Sequence, residues 1–113
     1  MLFILIALNG CSNNEGEGSY QSIINVNGTK YFLLSTKGPT YNGITYEKGK
    51  KIGEIQNTVS IDHIPDIHLT SNHLEKGSKL FMVIDKEGYI LVEPTDTNDV
   101  FLYTLEENIS SVD

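Results

Sequence analysis

The chain has 113 residues, enough for one domain with a modest hydrophobic core. Fifteen acidic residues against eight basic ones give a formal net charge of −7, and every basic residue is lysine. This balance argues against a nucleic-acid partner, because such binding relies on basic side chains that neutralise phosphates. It also argues against a basic face that would attract anionic lipids.

The amino-terminal segment is an apolar run, Leu2–Leu8, that ends in Leu8-Asn9-Gly10-Cys11 and so leads to the single cysteine. The run is too short to span a bilayer, which takes about 20 apolar residues. Its last four residues resemble the lipobox of bacterial lipoproteins, in which the signal peptide is cut before a cysteine that carries a diacylglyceryl group. Asn9 departs from the usual Ala, Ser or Thr, and no basic residue precedes the run. The resemblance implies a signal peptide over residues 1–10 and lipidation of Cys11.

Two other interpretations of this segment stay open: a secretory signal without lipid, and a buried strand with an ordinary core cysteine. The second fits poorly, because the segment Ser12–Ser19 is wholly polar. We therefore predict that residues 11–21 are a lipidated cysteine and a flexible tether. The expected location is the extracytoplasmic face of the cell membrane, and one cysteine allows no internal disulfide.

The β domain is predicted over residues 22–107, and its first element is a hairpin. The apolar runs Ile23–Val26 and Thr29–Leu34 flank Asn27-Gly28, a pair that favours a type I′ turn because both residues tolerate positive φ. The next predicted segments are a loop over residues 37–43, a short strand over 44–46, a basic turn over 48–51 and a strand over 52–59.

Residues 60–73 are the least regular part of the predicted domain. Their recurring apolar residues are expected to pack onto the domain: Ile61, Ile64, Ile67 and Leu69. Two glycines carry specific expectations, a bulge or close backbone approach at Gly53 and a positive φ at Gly77.

Leu80–Ile84 is the clearest core segment, since five consecutive apolar residues are typical of a strand buried on both faces. The remaining segments are predicted as a turn over 85–88, a strand over 89–93, a polar loop over 94–99, a strand over 100–105 and a frayed tail over 108–113. Six or seven short strands at regular spacing predict an all-β fold, a single small antiparallel barrel or sandwich.

Three motifs recur with this spacing in a known group of proteins: Asn27-Gly28-Thr29-Lys30-Tyr31, Ile52-Gly53-Glu54-Ile55 and the stretch Ser71–Phe81. Over residues 27–93 the chain resembles uncharacterised small lipoproteins of Gram-positive bacteria. The resemblance implies a lipobox, a tether and a small β domain outside the cell, and it implies no activity.

All three histidines lie within eleven residues: His63, His68 and His73. Because imidazole and carboxylate groups are zinc ligands, these residues with Asp62 and Asp66 are candidates for a weak divalent-metal site. Their spacing matches no known metal motif, and solvated loop histidines are the simpler interpretation.

Four tyrosines are candidates for an exposed recognition surface: Tyr20, Tyr41, Tyr46 and, at a sheet edge, Tyr103. Packing across strands is the simpler alternative for them. Ser71-Asn72 marks either a binding corner or, more simply, a turn stabilised by its own side chains.

No nucleophile paired with a general base can be assembled, because Cys11 is assigned to the lipid and no serine lies in a Gly-x-Ser-x-Gly motif. The sequence therefore predicts a binding module and not an enzyme, with no cofactor. Its expected contacts are the membrane, through the lipid, and an envelope protein or cell-wall component. A metal-dependent role for the histidines is the alternative, and an immunity-type lipoprotein that shields the cell from a phage or toxin is also open.

Overall fold

The computed structural model describes residues 21–110. The lipobox-like segment, Cys11 and Tyr20 lie outside the described residues, as do residues 111–113. The described part contains ten strands and one five-residue helix, so the predicted all-β fold is confirmed. The strands are more numerous than the six or seven expected from the sequence, because several two-residue strands join the sheet and the ribbon.

The strands are, in chain order, β1 (Ile23–Val26), β2 (Thr29–Ser35), β3 (Thr40–Tyr41), β4 (Ile44–Thr45), β5 (Lys48–Glu54), β6 (Asn57–Thr58), β7 (Thr70–Ser71), β8 (Lys79–Val83), β9 (Tyr89–Glu93) and β10 (Phe101–Leu105). The helix α1 (Glu106–Ser110) follows β10. Eight strands form one sheet in the order β5-β8-β9-β10-β2-β1-β7-β6, and β3 and β4 form a separate ribbon. All neighbouring strands are antiparallel except β6 and β7.

The large sheet curls into a half-barrel. Its two outermost strands, β5 and β6, are consecutive in the chain and are separated only by Ile55 and Gln56. The Ile55 N–H donates to the Ser78 carbonyl and the Gln56 N–H donates to the Leu69 carbonyl, each at 2.8 Å. The chain therefore passes from β5, which pairs with β8, to β6, which pairs with β7. This short connection brings the two edges of the sheet together.

The β1–β2 hairpin is confirmed, with the turn that the sequence predicts. Asn27 and Gly28 both have positive φ, 53° and 85°, and Val26 faces Thr29 across the turn. Both central residues of a type I′ turn need positive φ, which asparagine and glycine adopt with little strain.

A second hairpin, β3–β4, lies where a loop was predicted over residues 37–43. Asn42 and Gly43 have φ values of 52° and 79°, and Tyr41 faces Ile44. The loop prediction follows from Gly38-Pro39, but it is wrong because Asn42-Gly43 forms a second Asn-Gly turn between two short strands. That turn has the same chemistry as the first.

The basic turn predicted over residues 48–51 is also wrong, because these residues belong to β5. Lys48 Nζ lies 2.7 Å from Glu93 Oε2 and 4.6 Å from the Phe81 ring centroid. Lys51 Nζ lies 2.8 Å from Glu54 Oε2. Each of these two lysines has a carboxylate partner, so the charge run consists of exposed strand residues and not of a turn.

The strand predicted over residues 52–59 begins earlier, at Lys48, and is broken at Ile55–Gln56. Gly53 has the predicted character: the pairing register shifts next to it, and a Cβ built there would lie 3.1 Å from Leu69 Cδ1. The missing side chain at Gly53 thus leaves room for the Leu69 side chain against β5. The predicted positive φ of Gly77 is also confirmed, at 97°.

Apolar residues cover both faces of the sheet. The larger cluster consists of Ile24, Val26, Ile55, Leu74, Leu80, Ile90, Val92 and Tyr103. The second cluster consists of Tyr46, Val83, Leu91 and Leu102. In β9 and β10 neighbouring residues alternate between the two clusters, as the two-residue period of a strand requires.

The core segment predicted over residues 80–84 is a strand up to Val83, with Ile84 in the turn that follows, and it is not buried on both faces throughout. Leu80 and Val83 are buried, whereas Met82 and Ile84 are each about half exposed. Met82 lines an open groove, and Ile84 lies beyond the end of the strand.

The frayed tail predicted from residue 108 is wrong up to Ser110, because α1 occupies this position. Asn108 Nδ2 donates to Thr104 Oγ1 at 2.9 Å, and Thr104 Oγ1 donates to the Gly88 carbonyl at 3.0 Å. These bonds attach α1 to β10 and to the β8–β9 turn. Among residues 21–110, no helix is long and apolar enough to cross a membrane.

Tyr103 is fully buried, and not at a sheet edge as predicted. Its hydroxyl lies 2.6 Å from Ser22 Oγ. Burial raises the pKa of the Tyr103 phenol well above its ordinary value, and the hydrogen bond with Ser22 offsets only part of that rise. The folded state therefore favours the neutral phenol.

We expect the free energy of unfolding to fall as the pH rises above about 10, where tyrosine ionises in the unfolded chain. The contribution of Tyr103 is fully present below that pH and is lost at up to about 1.4 kcal/mol per pH unit above it. Urea unfolding between neutral and strongly alkaline pH measures the slope. The matched variant carries both Ser22→Ala and Tyr103→Phe, so that no buried hydroxyl loses its partner, and its slope should be shallower. Equal slopes for the two proteins would contradict the assignment.

Candidate functional site

The loop of residues 61–68, which contains two of the three histidines, begins beside the start of β1. The buried Asn72 side chain holds it there: its Nδ2 donates to the Gln21 carbonyl at 2.9 Å and to the Ile61 carbonyl at 3.1 Å. Its Oδ1 accepts from the Ile23 N–H at 2.8 Å. One amide group therefore joins the beginning of the loop to the beginning of the described chain.

Two further bonds hold the later part of the loop against β1. Asn25 Nδ2 donates to the Pro65 carbonyl at 3.1 Å, and the Asn27 N–H donates to His68 Nδ1 at 2.9 Å. Asn25 and Pro65 are both buried. The 61–68 loop thus follows β1 from Gln21 towards the β1–β2 turn and is fixed along its length.

The isoleucines of this loop do not pack onto the domain as predicted. Ile61, Ile64 and Ile67 are 44%, 61% and 66% exposed. Packing is supplied instead by Pro65, which is buried, and by Leu69, which packs partly buried against the larger cluster. Amide hydrogen bonds and one proline hold the backbone, which leaves the three isoleucine side chains in solvent.

The three histidines are exposed and occupy different surroundings. His68 Nδ1 accepts from the Asn27 N–H, and His63 Nδ1 lies 3.4 Å from Asp62 Oδ1. His73 lines a separate shallow groove of about 560 Å³ between the β7–β8 and β9–β10 connections. Across residues 21–110, no three His, Cys, Asp or Glu side chains are grouped so that they could hold a metal ion. The structure does not bring the predicted ligands together.

Ser71-Asn72 has the structural role that was the simpler of its two interpretations. Ser71 Oγ accepts from the His73 N–H at 3.1 Å and from the Leu74 N–H at 3.0 Å. Both residues are buried: the Ser71 hydroxyl stabilises the turn, whereas the Asn72 amide bonds backbone groups at the start of the described chain and of the 61–68 loop.

The predicted tyrosine surface does not form. Tyr46 and Tyr103 are buried and Tyr41 is half-buried, whereas Tyr20 lies outside the described residues. The Tyr46 and Tyr89 ring centroids are 4.9 Å apart, which is the packing arrangement offered as the alternative. Burial, followed by the neighbouring Tyr89, raises the pKa of Tyr46.

An open groove of about 1130 Å³ lies at one end of the half-barrel, where the larger cluster meets solvent. Its apolar floor includes Tyr31, Ile52, Met82 and Ile90. Its polar rim includes Asp85, Lys86, Glu87 and Asn108. Apolar area with a few polar groups around it is the usual composition of a binding site, so this groove is the candidate binding site of the domain.

Tyr31 and Met82 give the groove its chemical character. Burial raises the pKa of the Tyr31 phenol, so the hydroxyl stays protonated at neutral pH and can donate or accept a hydrogen bond. Met82 is about half exposed and adapts its shape readily to an apolar group.

Sequence reasoning missed the groove, because its lining comes from β2, β5, β8, β9, the β8–β9 turn and the region of α1. The one local signal is Met82, an unbranched side chain within an otherwise typical core run. In comparisons with protein-family models, curated proteins and solved structures, the chain matches none. The candidate sites therefore rest on the residues of this chain alone.

Proposed function

We propose that the protein is a bacterial lipoprotein, held at the extracytoplasmic face of the cell membrane through Cys11. The observation that carries this proposal is the apolar run ending in Leu8-Asn9-Gly10-Cys11, followed by the polar segment Ser12–Ser19. A folded β domain begins directly after that segment, with β1 at Ile23. This order of signal, cysteine, polar spacer and domain is the one that lipid anchorage requires. Two acyl chains, at about 0.8 kcal/mol per buried CH₂, would give a stable anchor.

The anchor is tested by the intact mass of the membrane-bound protein. We expect the chain to begin at Cys11 and to carry the added mass of a diacylglyceryl group. Cys11→Ala should leave the chain uncut and without lipid, because Cys11 is the only thiol in the sequence. Asn9→Ala is the matched control: it restores the usual lipobox residue and should be processed at least as well. A membrane form that retains Met1 and an unmodified cysteine would refute the proposal.

The domain itself serves, in this proposal, as a binding module for an envelope protein and not as an enzyme. The groove supports this role, because its apolar floor suits an apolar side chain of the partner. Acidic rim residues and a formal charge of −7 favour partner segments with basic flanks. A cell-wall sugar is less suited to that floor, and it remains an outcome that the experiment distinguishes.

A photo-crosslinking amino acid at Met82 tests the groove in intact cells. We expect ultraviolet light to attach one discrete envelope component, and protease or glycan-hydrolase treatment tells protein from cell wall. The matched control places the same amino acid at Ile44, on β4, which is 45% exposed against 52% for Met82. Identical products at both positions, or none at Met82, would refute a role for the groove.

A further inference from the structure

Three of the exposed large apolar side chains lie on one loop. Ile61, Ile64 and Ile67 fall within seven residues, whereas the others of this kind in the described part are Ile44 on β4, Met82 on β8 and Ile84 just after β8. Three large apolar side chains exposed on one loop of a small domain are a candidate contact surface. We refer to these three residues as the isoleucine patch.

The isoleucine patch is held in place by buried polar residues. Asn72 and Asn25 are 4% and 2% exposed, and their amide groups bond to the backbone of the loop at Ile61 and Pro65. Buried amides that lose their partners are costly, so these bonds fix the loop on the domain. The loop therefore presents its isoleucines in a defined arrangement, which lowers the entropy cost of a contact made through them.

The isoleucine patch begins where the preceding chain enters the domain. Asn72 Nδ2 bonds both the Gln21 carbonyl and the Ile61 carbonyl, so these two backbone groups are neighbours. Ten residues lead from Cys11 to Gln21, and fully extended they reach at most about 36 Å. A lipid on Cys11 would thus keep this end of the domain close to the bilayer.

We propose that the isoleucine patch inserts into the apolar boundary of the outer leaflet and so holds the anchored domain in one orientation. This inference rests on the proposed lipid anchor. The anchor makes insertion an intramolecular step at high effective lipid concentration, so a patch too weak to bind membranes alone is sufficient. Burial of an exposed isoleucine would favour the inserted state by roughly tenfold for each side chain.

The charges of the loop indicate that the attraction is apolar. Residues 60–73 contain Asp62 and Asp66 but no lysine, so the loop has no electrostatic attraction to anionic head groups. Insertion should therefore be stronger in zwitterionic vesicles than in anionic ones, and salt should not weaken it in zwitterionic vesicles.

The chain contains no tryptophan, so a single introduced tryptophan reports its own surroundings. The full lipidated protein carrying Ile64→Trp is purified from membranes and reconstituted in phosphatidylcholine vesicles with brominated acyl chains. We expect its emission to shift to shorter wavelength and to be quenched by the bromine atoms. Ile44→Trp, on β4, is the matched control and should show neither effect. Both positions are exposed, and thermal unfolding checks that each variant is folded.

Adding Ile61→Ser and Ile67→Ser to the Ile64→Trp protein should reduce insertion by roughly a hundredfold and abolish the quenching. If the Ile64→Trp protein floats with the vesicles but its tryptophan emission matches that of the Ile44→Trp control, the inference is overturned and the anchor stays intact. Quenching that needs a second membrane protein would also overturn it, in favour of a protein partner. A protein that does not float with the vesicles would overturn both the anchor and the inference.

Discussion

Asn72→Ala is expected to lower the free energy of unfolding by about 3–5 kcal/mol, because it leaves one buried N–H and two partly buried carbonyls without their partner. The Asn72 side chain accepts from the Ile23 N–H and donates to the Gln21 and Ile61 carbonyls. No neighbouring backbone can take over these bonds, since β1 already pairs with β2 and β7. For a domain of this size such a loss is a large part of the total stability.

Urea unfolding followed by far-ultraviolet circular dichroism measures this effect. Asn98→Ala is the matched control, because Asn98 is exposed in the polar loop between β9 and β10, and its loss should change stability by no more than about 0.5 kcal/mol. Asn72→Asp keeps the acceptor but replaces the donor with a carboxylate facing two carbonyls, so it should be at least as damaging as alanine. Equal effects of Asn72→Ala and Asn98→Ala would contradict the bonding scheme.

Features that depend on neighbouring residues could be predicted from the sequence. The β1–β2 hairpin follows from Asn27-Gly28 because turn geometry needs positive φ at two adjacent residues, and the residues themselves supply it. The positive φ of Gly77 is local in the same sense, whereas the close approach at Gly53 is to Leu69 and only the glycine itself marks it in the sequence. These predictions needed no knowledge of which strands pair.

Features that depend on distant partners could not be predicted. The sequence predicts a turn at the lysines of β5. It cannot show that Lys48 pairs with Glu93, because Glu93 lies 45 residues away. The sequence predicts that the isoleucines at 61, 64 and 67 pack onto the domain, as apolar residues usually do, whereas the loop is held by Asn25 and Asn72. Composition does not show that the side-chain amides of Asn25 and Asn72 hold the 61–68 loop in place of apolar packing.

The candidate site shows the same division. Proximity in sequence suggested a histidine site, but the loop leaves His63 and His68 with separate neighbours and places His73 beside another groove. The groove that the structure does contain is assembled from strands far apart in the chain. Its apolar floor exists only because Tyr31, Ile52 and Ile90 meet at one end of the curled sheet.

Ile55→Ala is expected to lower the free energy of unfolding by about 2–5 kcal/mol, the usual cost of truncating a fully buried isoleucine. Ile55 is 0% exposed and lies in the larger cluster, at the break between β5 and β6. Its N–H donates to the Ser78 carbonyl and its carbonyl accepts from the Gly77 N–H at 2.9 Å. The side chain thus anchors the point where one strand changes partners and the sheet edges meet.

Ile64→Ala is the matched control, since the same atoms are removed from a side chain that is 61% exposed, and its effect should stay within about 0.5 kcal/mol.

Amide hydrogen exchange adds a second measurement. If Ile55 packing holds the sheet edges together, the Ile55 and Gln56 amides should exchange faster in Ile55→Ala than global unfolding explains. Ile52, on β5 just before this break, lines the groove, so the same variant should also weaken crosslinking from Met82. A stability loss no larger than that of Ile64→Ala would show that backbone bonds alone join the edges, and that the groove keeps its shape without this side chain.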